Sequence, residues 1–84
     1  MHYLTACDFI FSHFGAENQK RKLQEECAEL IRAIARNDEQ NMFEEMADVL
    51  ILLDQFRMNN KIYKKIDEIK QKKVDRTIQR IEQE

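Results

Sequence analysis

Residues 22–34, KLQEECAELIRAI, and residues 43–56, FEEMADVLILLDQF, decide how this chain folds. In the first stretch Leu23, Cys27, Leu30, Ile31 and Ile34 recur at helical spacing, which predicts a helix over about residues 17–36 with a narrow apolar stripe. In the second, Met42, Phe43, Met46, Val49, Leu50, Leu53 and Phe56 share one broad face of a helix that runs to about Met58. From Val49 to Leu53 the apolar residues are consecutive, so this helix is apolar most of the way round. Such a helix has to be covered on more than one side. In a chain of 84 residues the second cover is expected to be another subunit.

The punctuation around these stretches is sparse. Gly15 follows Phe9, Ile10, Phe11 and Phe14 and stands where a first helix, over about 3–14, would stop. Asn37 and Asp38 interrupt the pattern, and Asp38 or Asn41 can cap the helix that follows. Asn59 and Asn60 form the next break. A last helix, over about 61–82, sets Ile62, Ile66, Ile69, Val74, Ile78 and Ile81 along one side. The expectation is an all-α, four-helix-bundle-like chain: one domain over residues 1–84, oligomeric, as a homodimer or homotetramer.

Composition closes off other classes. A single Gly and no Pro leave no turn residues for a sandwich or barrel of short strands. Hydrophobic residues at 43% and a net charge of −2 argue against disorder. No apolar run approaches the length that spans a bilayer. The first residues, MHYLTACDFIFSHF, lack a basic start and a small-residue cleavage site, so no signal peptide is expected. Cys7 and Cys27 form no CxxC pair and read as free thiols in a reducing cytoplasm. Charge is divided along the chain. Residues 1–60 hold six basic and eleven acidic residues, whereas residues 61–84 hold eight basic and five acidic.

The acids are themselves patterned. Glu26 and Glu29 lie three apart on the second helix, as do Glu45 and Asp48 on the third, so each pair shares a helix face beside an apolar stripe. If the two helices pack antiparallel, the pairs can face each other across one cleft. Four converging carboxylates repel, by about 4 kcal/mol for two charges 4 Å apart at an effective dielectric of 20. A divalent cation removes that cost. An all-oxygen donor set suits Mg²⁺, with Mn²⁺ as a substitute, better than Zn²⁺. Neither His2 nor His13 stands in the Glu-x-x-His relation of di-iron bundles. Glutamate pairs on a solvated helix face are common, and spacing leaves that reading open.

With Glu25-Glu26-x-x-Glu29 followed after fifteen residues by Glu45-x-x-Asp48, the chain resembles the all-α nucleoside triphosphate pyrophosphohydrolases of the MazG-like superfamily. Leu30 and the apolar run after Asp48 add to the likeness, which is strong over about residues 15–58 and loose in the tail. The resemblance implies a Mg²⁺-dependent hydrolase that converts a nucleoside triphosphate to the monophosphate and pyrophosphate, in nucleotide house-cleaning or pool control. It implies that Glu26, Glu29, Glu45 and Asp48 hold the metal, with Glu26 and Glu29 central to catalysis. Glu25 either activates water or is solvated. It further implies phosphate contacts from the basic tail, for which Lys73 and Arg76 are the candidates. Lys22 is another, although a plain ion pair with Glu26 explains it as well. Asn18 and Gln19 can meet a base or sugar. Phe11 and Phe14 can stack on a base or sit in the core. No insertion like that of the larger dUTP-hydrolysing relatives is visible, which weakens a dUTP assignment.

Three other readings stand beside this one. The Ile-rich tail fits a non-enzymatic helical interaction module, although the step of five between Ile69 and Val74 spoils a strict heptad. The basic stretch 61–80 fits a nucleic-acid binder, but a pI near 5.7 argues against one. A phosphoribosyl-ATP pyrophosphohydrolase uses a similar helical scaffold.

Overall fold

The computed structural model describes residues 1–59 and 62–84, which form α1 (Tyr3–Phe14), α2 (Ala16–Ala35), α3 (Glu39–Asn59) and α4 (Ile62–Glu82). The chain is all-α, as its patterning requires. α3 runs to Asn59, one residue past the expected end, and the break at Asn60 and the start at Lys61 lie outside the described residues. No helix of the described residues is long and apolar enough to cross a membrane.

Local chemistry accounts for the helix ends. His2 caps α1, its Nδ1 accepting from the Leu4 amide at 3.2 Å. Gly15 at φ 88° and ψ 154° is the single residue between α1 and α2. Its amide donates to the Phe11 carbonyl at 2.9 Å, and side chains rarely tolerate that φ. α2 ends in a Schellman motif, in which the Asn37 amide reaches Ile34 O and the Asp38 amide reaches Ala33 O, both at 3.1 Å. Asn37 supplies the left-handed residue at φ 56°. Asp38 then caps α3, accepting from the Asn41 amide at 3.3 Å. Of the two candidate caps, Asp38 serves.

α3 is the central helix and packs against each of the others, whereas α4 touches α3 alone. Among the described residues Cys7, Phe11, Ala33 and Leu52 are the buried hydrophobic ones, and Phe11 meets Phe56 edge-on with ring centres 5.1 Å apart. Both cysteines are free thiols. Arg57 of α3 binds Asp67 of α4 at 2.9 Å, and the Tyr3 hydroxyl donates to Asp54 at 2.7 Å, tying the start of α1 to the same end of α3. The radius of gyration, 15.5 Å, exceeds the roughly 12 Å of a compact domain this long. The bundle is open, and none of the described residues of α4 is buried.

The rotation of α2 differs from the expected one. Its buried positions are Gln19, Glu26 and Ala33, with Leu23 and Leu30 half-buried beside them. Ile31 and Ile34 of the expected stripe are 67% and 50% exposed. On α3, Phe43 and Leu50 face outward while Leu52 and Gln55 are buried. On α2 and α3 the apolar residues cover more of the helix surface than the neighbouring helices of the chain cover.

Candidate metal centre

The packing of α2 on α3 places three carboxylates together. One oxygen from each of Glu26, Glu29 and Glu45 lies within 4.8 Å of the others. Glu26 is buried at 6% exposure, Glu45 is half-buried and Glu29 is exposed. Two oxygens in the group, Glu26 Oε2 and Glu45 Oε2, are buried without a hydrogen-bond partner. A buried carboxylate oxygen without a partner needs a donor or a cation beside it: a shared proton, or a metal ion.

The electrostatics point the same way. Glu45 is pushed up to about 7, first by its hydrogen bond with Glu26, then by burial and by the charges of Glu29 and Glu26. Glu26 moves down, because Glu45 holds the shared proton for it and Lys22 lies against it. Asp48 moves up through burial and then through the charge of Glu26. Lys22 Nζ stands 3.2 Å from Glu26 Oε1 and 3.9 Å from Glu25 Oε2, and its pKa is raised mainly by Glu26.

The donor set fits a hard cation. An octahedral ion with oxygen bonds of about 2.1 Å sets neighbouring ligands about 3.0 Å apart and opposite ones about 4.2 Å, so the three oxygens, which lie within 4.8 Å of one another, would draw closer around it. No histidine or cysteine belongs to the group.

Two cavities flank the carboxylates. The larger, about 580 Å³, has apolar walls from Ile10, Phe14, Ile51 and Leu52 and reaches Lys22, Glu25, Glu26 and Asp48. The smaller, about 250 Å³, lies beside Glu29 and Glu45 and is lined by Arg32, Arg36 and Asn41.

Of the residues singled out from sequence, Glu26, Glu29 and Glu45 converge. Asp48 and Glu25 border the larger cavity and lie outside that group of three. Lys22 is an ion-pair partner of Glu26 and also lines the cavity. Lys73 and Arg76 are exposed on α4, which does not touch α2, and they line neither cavity. Asn18 and Gln19 line the larger cavity with Phe14, whereas Phe11 is core. The sequence pattern singles out neither Gln55 nor Arg32 nor Arg36, and it offers Asn41 only as a helix cap. Gln55 stands seven residues after Asp48, on the same helix face, and that spacing was the available signal.

The family model of the MazG nucleotide pyrophosphohydrolase domain matches residues 14–83. No curated protein and no solved structure is found to match the chain.

Proposed function

The chain belongs to the MazG nucleotide pyrophosphohydrolase domain family, and from that premise we propose that it is a Mg²⁺-dependent hydrolase of nucleoside triphosphates. The products would be the nucleoside monophosphate and pyrophosphate. The observation that carries this reading is the meeting of Glu26, Glu29 and Glu45 around two buried, unpartnered oxygens. Mn²⁺ would serve as a substitute ion.

In this reading Glu26, Glu29 and Glu45 hold the metal from two helices, and Asp48 adds a fourth carboxylate from the cavity side. A bound Mg²⁺ supplies Lewis acidity toward the phosphate oxygens and the attacking water. The chain's own residues do the rest. Glu45 would hold the cation as a carboxylate, because a carboxylate shared with a metal is ionised. Lys22, released from Glu26, turns its ammonium to the phosphates. Glu25, exposed and lining the larger cavity, would accept the proton from the attacking water. Water adds to the α or the β phosphorus, the bond from that phosphorus to the oxygen bridging the two breaks, and pyrophosphate or the monophosphate respectively is the leaving group. Attack at the α or the β phosphorus gives the same products.

Self-association belongs to the same proposal. Ile31, Ile34, Phe43 and Leu50 form outward apolar faces on α2 and α3, and α4 adds Ile69, Val74, Ile78 and Ile81. A second copy, in a homodimer or homotetramer, would cover them and could bring a neighbour's Lys73 and Arg76 to the phosphates. A cytoplasmic house-cleaning role fits the reaction.

The test is pyrophosphate release from a panel of ribo- and deoxyribonucleoside triphosphates, with Mg²⁺ and with EDTA. Mg²⁺-dependent formation of monophosphate and pyrophosphate is the expected result. A folded Glu26→Gln variant as fast as the parent would sink the assignment.

A further inference from the structure

The larger cavity contains a feature that packing alone does not require. Gln19 of α2 and Gln55 of α3 are 5% and 2% exposed, and Gln19 Nε2 donates to Gln55 Oε1 at 2.7 Å. Both side chains line the cavity beside Phe14, Ile51 and Leu52. Two apolar residues could join the helices here without the cost of burying amides. Gln19 stands seven residues before Glu26 and Gln55 seven after Asp48, so each amide lies about 10 Å along its helix from a carboxylate. A nucleoside 5′-phosphate bridges that distance, with its phosphate at the carboxylates and its base at the amides.

We propose that the Gln19–Gln55 amide pair reads the nucleobase edge, and that its reversibility lets one cavity accept amino-bearing and keto-bearing bases alike. This inference rests on the hydrolase reading above. A carboxamide presents a donor on one side and an acceptor on the other. In the arrangement present Gln19 donates and Gln55 accepts. Rotating both amides by 180° makes Gln55 the donor and Gln19 the acceptor, with the helix-to-helix bond kept. The two states offer interchanged donors and acceptors to the cavity. One state suits the amino group of adenine or cytosine, the other the carbonyl of guanine or thymine. The apolar walls contribute ring contact that does not distinguish bases, and about 580 Å³ is room for a purine as well as a pyrimidine.

The experiment compares kcat/KM for dATP with dGTP and for dCTP with dTTP, so that ring size is held constant within each pair. In the parent each pair should agree within tenfold. Gln55→Glu puts an acceptor-only group at this position and holds Gln19 as its donor. It should lower the keto-base substrates at least tenfold relative to the amino-base ones, a switch that loss of packing would not produce. Gln55→Met, which is apolar and fills similar space, should weaken all four by a common factor, and it decides the matter if the buried charge of Gln55→Glu prevents folding. Parent selectivity beyond tenfold within a pair overturns the inference. So does a Gln55→Glu ranking equal to the parent's, or a Gln55→Met variant with all four values unchanged. These failures leave Mg²⁺-dependent hydrolysis intact. A folded, Mg²⁺-loaded parent inactive on all four instead removes the hydrolase reading, and this inference with it.

Discussion

Glu26→Gln tests the site without assuming a substrate. Glu26 is the most buried of the three clustered carboxylates, with its partner oxygens within 4.8 Å. Two full charges at that distance repel by about 3 kcal/mol at an effective dielectric of 20. The relief is smaller, because Glu45, pushed up to about 7, carries its proton part of the time at neutral pH. The substitution also removes the partner of Lys22, and an ion pair with so exposed a lysine offsets the relief only slightly. The net expectation is a variant more stable than the parent by roughly 1–2 kcal/mol in EDTA, or about 5–10 °C in Tm for a domain of this size. Mg²⁺ should reverse the order, raising the parent's Tm and leaving the variant's unchanged, since ligand binding to the native state adds RT ln(1 + [L]/Kd). The assay is thermal unfolding of both proteins in EDTA and across a Mg²⁺ titration, at matched concentration. A Glu26→Gln protein less stable than the parent in EDTA, together with a parent indifferent to Mg²⁺, would refute the argument that these carboxylates repel and await a cation.

Further expectations concern pH, backbone and assembly. Glu45 has a folded pKa of about 7 against an ordinary 4.5, so between those values the native state binds the extra proton. Stability in EDTA should therefore fall as pH rises from about 4.5 through about 7, with the lowered pKa of Glu26 opposing this at the acid end. Mg²⁺ or Glu45→Gln should flatten the slope in urea titrations. Gly15→Ala meets no atom within 4 Å, so its cost is conformational, about 1–3 kcal/mol from the φ of 88°. A urea midpoint equal to the parent's would contradict it. Leu50→Glu places a charge on a residue 58% exposed within the chain. It should leave the monomer folded by circular dichroism while lowering the mass found by light scattering, and an unchanged mass would remove this face from the subunit interface.

Much of the fold is legible in the sequence because helices are local. Gly15, Asn37 and Asp38 mark the helix ends through dihedral preference and side-chain capping, which act within a few residues. The i,i+3 acids are legible for the same reason, since spacing alone puts Glu26 beside Glu29. Helical periodicity is degenerate on one point: it does not say which part of an apolar surface turns inward. Of the expected stripe on α2, Leu23, Cys27 and Leu30 are half-buried and Ile31 and Ile34 are exposed, while the buried positions are Gln19, Glu26 and Ala33. Polar residues at two of those three positions hide that face from any reading of hydrophobicity.

The sequence by itself determined four helices, the breaks at Gly15 and Asn37–Asp38 and the i,i+3 spacing of the acids, because each depends on neighbours along the chain. Only the tertiary structure decided which acids meet. The rotation of α2 against α3 brings Glu45 to Glu26 and Glu29, turns Asp48 to the cavity and buries the Gln19–Gln55 pair. It also leaves α4 attached to α3 alone, with its basic residues away from the acids. The physical reason is that a carboxylate's role depends on what lies within a few ångströms of its oxygens. For Glu26 the residues that decide this are the nearby Lys22 and Glu29 and, nineteen positions along the chain, Glu45.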